Sequence, residues 1–459
     1  MLFRSERCKV IAYYGQGANQ EMQAHSTLSL RYFGEAIPAT RAAYWRGLLW
    51  QLTVRMLQSV FPSLIVRSSP KRRDTAREAA TVLDRLFDVF IHQGDPLPAV
   101  YTGVRSLNLA ETIGPTQAQA RSLTMMGLVL SATPFQRSAQ RHISRALRIA
   151  DEVGDPPTQA HCYLRAAAYS MSHCAWEECA DRLARAFAIA TAAKDQRSLE
   201  EHCAIASASA CMRSDFAAAV KSGREGEVLA ARRGDRQTEA WAASALSLGL
   251  LRLGQAQEAV AVIDQVLPWV DTRGTPIETI LTYGHRALGK FELGQYPAAL
   301  ADAERALEWM LSVRLLGYFF ALPVAAIARV FHGVLARDAR TPEVTRALLE
   351  KARVATGLLV RLAKMCPFAL PSSLLAQGSQ TFCEGNHRRA ERYWRRALGE
   401  AQRKQISYEA SYAHSLLATL DVPDRATHAQ LALDGFLALG CVGDALRVRE
   451  RSARYPTSA

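Results

Sequence analysis

The sequence predicts an all-α protein: an α-solenoid, a right-handed superhelix of helical hairpins that repeat every 40 residues. Alanine, leucine and arginine dominate, and no alternation of β-branched residues persists long enough to make a half-buried strand. Small residues recur 40 positions apart at Ala99, Ala139, Cys179, Ala219, Ala259 and Ala299. Punctuation keeps the same period at Gly114, Gly154, Lys194, Gly234 and Gly274, and Asp155, Asp195 and Asp235 each follow directly.

In chain order, residues 1–66 read as degenerate N-terminal helical hairpins, with 10–33 a weak one, and residues 67–75 as a basic loop because Pro, Ser and charge coincide in "VRSSPKRRD". The regular repeats occupy 76–337. Two further registers run through them, Ser106, Ala146, Ala186, Gly226, Val266 and Ala306, small at five of six, and Gly127, Ala167, Ser207, Ser247 and Ala287. Two helices per repeat therefore cross where only small side chains let the backbones approach. Glycine after each second helix supplies a left-handed cap, and Asp, Pro or Thr opens the next helix. Lys194 breaks that glycine series, so its turn is expected to close differently. Residues 338–370 read as one long helix and a linker, entered through Thr341 and Pro342. A further repeat and capping helices fill 371–459, the last more charged, as the end of an array requires.

"GQYPAALADAERAL" (294–307) and "GNHRRAERYWRRAL" (385–398) place a small residue, a turn, an aromatic and an A-x-x-x-[IL]-x-x-A pattern in succession. This resembles the tetratricopeptide repeat, whose usual period is about 34, so the longer period here implies longer helices. The stretch "AAYWRGLLWQLTVRMLQSVFP", followed by "DPLPAVYTGVRSLNLAETIGPTQAQARSL" and the hairpins, is similar to the C-terminal array of bacterial multidomain predicted ATPases, class III adenylate cyclases and serine/threonine kinases. The resemblance implies a regulatory or sensor module of such a protein. Met1 falls within the array pattern, so the chain is expected to be, or to have been, attached to a catalytic part.

Catalytic chemistry is not legible. No phosphate loop, nucleophile elbow, zinc-protease or calcium-loop pattern occurs, and Gly15-Gln16-Gly17 lacks the strand and third glycine of a dinucleotide site. The chain reads as a non-enzymatic scaffold with no cofactor. Nine cysteines without a C-x-x-C pair fit reduced thiols and a cytoplasmic location. His161, Cys162, His173, Cys174, Cys179, His202 and Cys203 form the one group worth testing as a metal site. Cys179 falls in the alanine register, however, and the histidines are expected on different faces, so no metal is expected.

The formal charge of +13 calls for partners of opposite sign. Most of the excess is arginine scattered along helices, with clusters at Lys71-Arg72-Arg73, Arg232-Arg233 and His387 to Arg396. No recognition module accompanies them, so nucleic acid is the lesser expectation, kept as an alternative role in transcriptional regulation. The apolar runs Leu48 to Val66 and Leu315 to Ala328 are too short or interrupted to insert in a membrane and are expected to be buried repeat helices. The expected partner is a protein or peptide, acidic or amphipathic, bound on the concave wall made by the first helix of each hairpin. The register places Arg121, Leu128, His161, Leu164, Trp241, Leu248, Leu281 and Leu288 on that wall as an apolar surface with a basic edge.

Overall fold

A computed structural model describes residues 6, 8–10, 12–13, 19–61, 70–313, 317–337 and 342–454, and the ordered elements among them are all helical. Helices α1 (Asn19–Tyr32) and α2 (Arg41–Val60) lead into the hairpins. These are α3 (Pro70–His92) with α4 (Pro96–Glu111), α5 (Gln117–Ser131) with α6 (Gln136–Val153), and α7 (Pro156–Ser172) with α8 (Trp176–Ala193). Next come α9 (Gln196–Arg213) with α10 (Phe216–Arg233), α11 (Arg236–Arg252) with α12 (Ala256–Arg273), and α13 (Pro276–Glu292) with α14 (Tyr296–Ser312). The array ends with α15 (Ala321–Leu335) and α16 (Pro342–Met365), α17 (Leu370–Cys383) and α18 (His387–Arg403), α19 (Ser407–Leu417) and α20 (Arg425–Ala438), and α21 (Val442–Arg454). Residues 11 and 14–18 of the weak N-terminal hairpin, 67–69 of the basic loop and Thr341 at the entry to the long helix lie outside the described residues. The rest of that loop is helical, because Pro70 occupies the first turn of α3, where its missing N–H costs nothing.

The small-residue registers are the crossing points. Ser207 Oγ donates to the Ala219 carbonyl at 2.8 Å, and Ser247 Oγ to the Ala259 carbonyl at 3.0 Å, so one register of each hairpin touches the other. A methyl group on Gly127 would lie 3.3 Å from the Ala139 carbonyl oxygen, the same contact two repeats before Ser207. The register of Gly226 joins neighbouring hairpins: a Cβ there would sit 2.9 Å from Cys203 Cβ and 3.3 Å from Ala242 Cβ. Cys179 is buried beside Ser209, its Sγ 3.4 Å from the hydroxyl, in the place that alanine takes in other repeats.

The turns correct one expectation. Lys194 does not close its turn differently: its φ of 53° is the left-handed cap that Gly154 (68°) and Gly234 (73°) adopt. The departure falls at Gly274, which is extended, with φ −64° and ψ 151°. There α13 begins instead with a capping box, Thr275 N–H donating to Glu278 Oε2 at 2.7 Å. Asp155, Asp195 and Asp235 accept from the backbone N–H of Thr158, Ser198 and Thr238, as the sequence predicts.

The array also turns back on itself. Trp176 Nε1 donates to the Lys404 carbonyl at 2.8 Å, and Tyr408 N–H to Ser214 Oγ at 2.9 Å. Tyr408 Oη is a buried hub that accepts from Arg252 at 2.6 Å and from Arg329, and donates to Asp444 at 3.1 Å. The last hairpins are thereby held against the turns of the middle ones. The segment Tyr318–Leu335 is long and apolar enough to cross a membrane by length and composition, but most of it is buried in the array core beside Val324, Ile327 and Phe331.

Two substitutions separate crossing points from fillers. Gly226→Ala forces a methyl into Cys203 and Ala242 and is expected to lower stability by about 1–3 kcal/mol, whereas Cys179→Ala should cost less than about 1.5 kcal/mol. Urea unfolding midpoints measure both. Tyr408→Phe leaves two arginines and Asp444 short of a buried partner, and is expected to cost about 1–3 kcal/mol in the same assay.

Candidate binding site on the concave face

The odd-numbered helices α3 to α13 line a cavity of about 210 Å³, closed on one side by Gly317, Tyr318 and Phe319. Leu128, Ile205, Ala208, Met212 and Leu248 give it an apolar wall. Trp241 stands at one end, its Nε1 donating to Glu278 Oε1 at 2.7 Å and its ring stacked on His92 at 5.2 Å. The end of α3 thus meets α11 across the cavity.

Asp88, Arg165 and Glu201 bring charge to the lining. They belong to a ladder of ion pairs between successive hairpins: Arg121 with Asp84 at 2.7 Å and Asp88 at 3.6 Å, Arg165 with Glu201 at 3.1 Å, and Arg233, at the end of α10, with Glu200 and Asp235 at 2.6 Å each. Most of these side chains are nearly inaccessible, so each charge needs its partner. Burial would raise the Glu201 carboxyl, but Arg165 and Arg197 outweigh it and hold it at about 2. Burial dominates at Asp84 and raises its carboxyl despite Arg121. His161, beside Arg121 and Arg165, is pushed well below the usual histidine range, by burial first and then by those charges.

The predicted wall residues divide in two. Leu128, Trp241, Leu248 and Leu281 line the cavity together. Leu164 and Leu288 are buried at 0% and 1% exposure in the core between helices, and Arg121 and His161 lie within the charge ladder. The basic edge is therefore a set of satisfied ion pairs rather than an open cationic rim. Register alone fixes which helix a residue belongs to, and not whether its face meets solvent or the adjoining hairpin. Asp88 and His92 stand 40 residues before Leu128 and Ala132 and share the registers of the wall, as a charged and a polar member of them, whereas Tyr318 comes from the segment before α15.

The histidine and cysteine group does not converge. His202 packs on Phe187 at 5.1 Å, His173 bonds to Gln136, and among the described residues no three His, Cys, Asp or Glu side chains are placed to hold a metal ion. Burial pushes the thiols up, to about 12 at Cys162 and about 11 at Cys174 and Cys203, so they stay protonated.

No protein-family model matches the chain, and no curated protein matches it. Solved structures do. A Rap protein complexed with Competence and Sporulation Factor aligns over 88% of this chain and 99% of its own, at 10% identity and a TM-score of 0.51. A signal transduction ATPase with numerous domains and a tetratricopeptide repeat sensor, from Pyrococcus horikoshii, aligns over 80% of this chain and 54% of its own, at 14% identity and a TM-score of 0.42. Human IFIT1, as a dimer with m7Gppp-AAAA, aligns over 83% and 90%, at 14% identity and a TM-score of 0.42. At such identities the likeness is one of fold. The molecule is a tetratricopeptide-type α-solenoid.

Two buried histidines and one half-buried one give the fold a pH dependence. Burial lowers His202, His285 and His332 from 6.5 to about 4. Above pH 6.5 they are neutral in both states and their contribution is complete. As pH falls toward 4 the unfolded chain takes up protons that the folded one refuses, and stability drops by up to about 1.4 kcal/mol per pH unit for each. Glu201 extends the loss, since its contribution is present above 4.5 and disappears as pH falls toward 2. Urea midpoints measured from pH 7.5 downward should begin to fall below about 6.5; a flat profile to pH 4.5 would contradict the assignment.

Proposed function

We propose that the chain is a non-enzymatic binding module whose concave cavity receives an apolar side chain from a protein or peptide partner. The carrying observation is the cavity itself, an apolar wall contributed by successive hairpins with one charged end. Its size is above the roughly 150 Å³ that holds a benzene ring in an engineered apolar cavity, and below the roughly 300 Å³ at which pockets for whole drug-sized ligands begin. It suits one large side chain of a longer segment. His285 adds a polar preference: its Nδ1 lies 3.0 Å from the Ser244 carbonyl and 2.9 Å from the Ser244 hydroxyl, and its Nε2 has no partner. A side chain with a polar tip would complete a bond to that nitrogen. The array reading adds a finer proposal, that this module regulates a bacterial signalling ATPase, cyclase or kinase in the cytoplasm. Support for it comes from the sequence resemblance.

A second reading, association with nucleic acid, has one observation in its favour. Arg388, Arg389, Arg392 and Arg396 are exposed along α18. It predicts duplex binding that falls steeply with salt and weakens in Arg392→Ala.

Selection from a random peptide library on the purified chain should enrich segments with a shared large apolar residue. Ala208→Phe fills the cavity, and Trp241→Ala removes its end wall; each is expected to weaken selected peptides at least about tenfold, a loss of about 1.4 kcal/mol. Peptides indifferent to Ala208→Phe would remove the reading.

A further inference from the structure

A second, larger cavity of about 1310 Å³ lies between α13 to α15 and α17 to α21. Its lining differs in kind from the first, with which it shares no residue among those described. Arg329, Arg337, Arg425, Arg447, Arg449 and Arg451 face three acids, Asp421, Asp444 and Glu450. Asp444 is already committed to Arg329 at 2.9 Å and to Arg447 at 2.7 Å, and Glu292, just behind the lining, pairs with the same two arginines. Arg337, Arg449 and Arg451 form no ion pair among the described residues. Partial desolvation, then the like charges of Arg337, Arg447 and Arg329, push the Arg451 guanidinium below its ordinary value. Positive charge is in excess here.

Two of the guanidinium groups are held in place by rings. Arg337 lies over Phe291 at 5.6 Å and Tyr296 at 5.8 Å, donating to the Tyr296 hydroxyl at 2.7 Å, and Arg329 lies over Tyr412 at 4.6 Å. Stacking fixes the plane of each fork, a geometry matched to carboxylates; Arg329 already spends its N–H edge on Glu292 and Asp444, whereas Arg337 pairs with neither. The same stacking covers the ring faces on which the bases of a single strand would have to lie. Beside the arginines runs an apolar wall of Leu416, Ala429, Leu433 and Val448. The volume exceeds the roughly 1,000 Å³ of small-molecule pockets.

We propose that this C-terminal cavity binds an acidic peptide segment, its carboxylates on Arg337, Arg449 and Arg451 and its apolar side chains on the wall of Leu416, Leu433 and Val448. The sequence suggested an acidic partner at a basic edge of the concave wall. The structure neutralises that edge and leaves the unbalanced charge here. This site does not rest on the concave-face reading.

Fluorescence anisotropy tests it on the full chain with a labelled peptide of about twelve residues alternating Glu and Leu. A Lys-for-Glu version and an oligothymidine of similar length serve as controls. The acidic peptide is expected to bind, the basic one not, with affinity falling as salt rises. Arg337→Gln and Arg451→Gln should each weaken it about three- to fivefold. Together they should weaken it about tenfold or more, with an unchanged melting temperature. Ala208→Phe, in the other cavity, should leave it unaltered. Absence of binding, binding indifferent to both arginine substitutions, or equal binding of the basic peptide overturns the proposal. Tighter binding of the oligothymidine, lost in the same variants, overturns it in favour of nucleic acid.

Discussion

The close crossing of two helices at a small residue is the constraint on which the rest of this molecule depends. Ser207 on the Ala219 carbonyl and Ser247 on the Ala259 carbonyl fix the approach of two backbones with a hydrogen bond that a larger side chain could not make. Because the same contact recurs every 40 residues, each hairpin adds to its predecessor in a similar way. A regular stack of this kind has one face made by the odd helices. The cavity on that face is a consequence of the crossing, and its apolar wall comes from positions that lie one repeat apart, such as Ile205 and Ala245.

A stack defined only by neighbours would be open, with a stability that sums local terms. Here two sets of long-range contacts are added. At one end the His92 ring stacks on Trp241, and at the other Tyr408 gathers Arg252, Arg329 and Asp444 from helices far apart in the chain. Buried charges suit this task, since a guanidinium without its carboxylate costs several kcal/mol and so tolerates few alternative arrangements. The ion-pair ladder and the cluster around Tyr408 hold successive hairpins together, and Tyr318, from the segment before α15, closes a side of the cavity that the repeats alone would leave open.

This division explains what the sequence could and could not reveal. Crossing points, caps and the long helix Pro342–Met365 are local or periodic, and their residues carry the evidence in their own spacing. Leu128 and Leu248 stand in one register of the odd helices, Trp241 and Leu281 in another seven residues earlier, and both registers meet the cavity. Leu288 shares the first of them, yet neighbouring helices cover it as they cover Leu164, and a register cannot express how much of a face its neighbour hides. Lys194 shows the opposite limit: the conformation demanded by its turn overrode the residue preference, so a non-glycine residue adopts the left-handed cap. Contacts such as Trp176 with Lys404 or Arg447 with Glu292 leave no periodic trace, because each occurs once.

Closure also bears on how occupancy of the concave cavity could be felt elsewhere. Its lining includes α3, which precedes the regular crossings, and α9, α11 and α13 in the middle of the array. An occupant touching α3 and α11 together has a different interaction free energy with a closed and an opened superhelix, and that difference is the most by which it can shift their balance. The Tyr408 cluster joins the last hairpins to α11 and α15, so the same rigid crossings connect both ends of the molecule to the middle repeats. The concave face and the last hairpins are thus joined, among the described residues, through packed helices and the contacts of Tyr408.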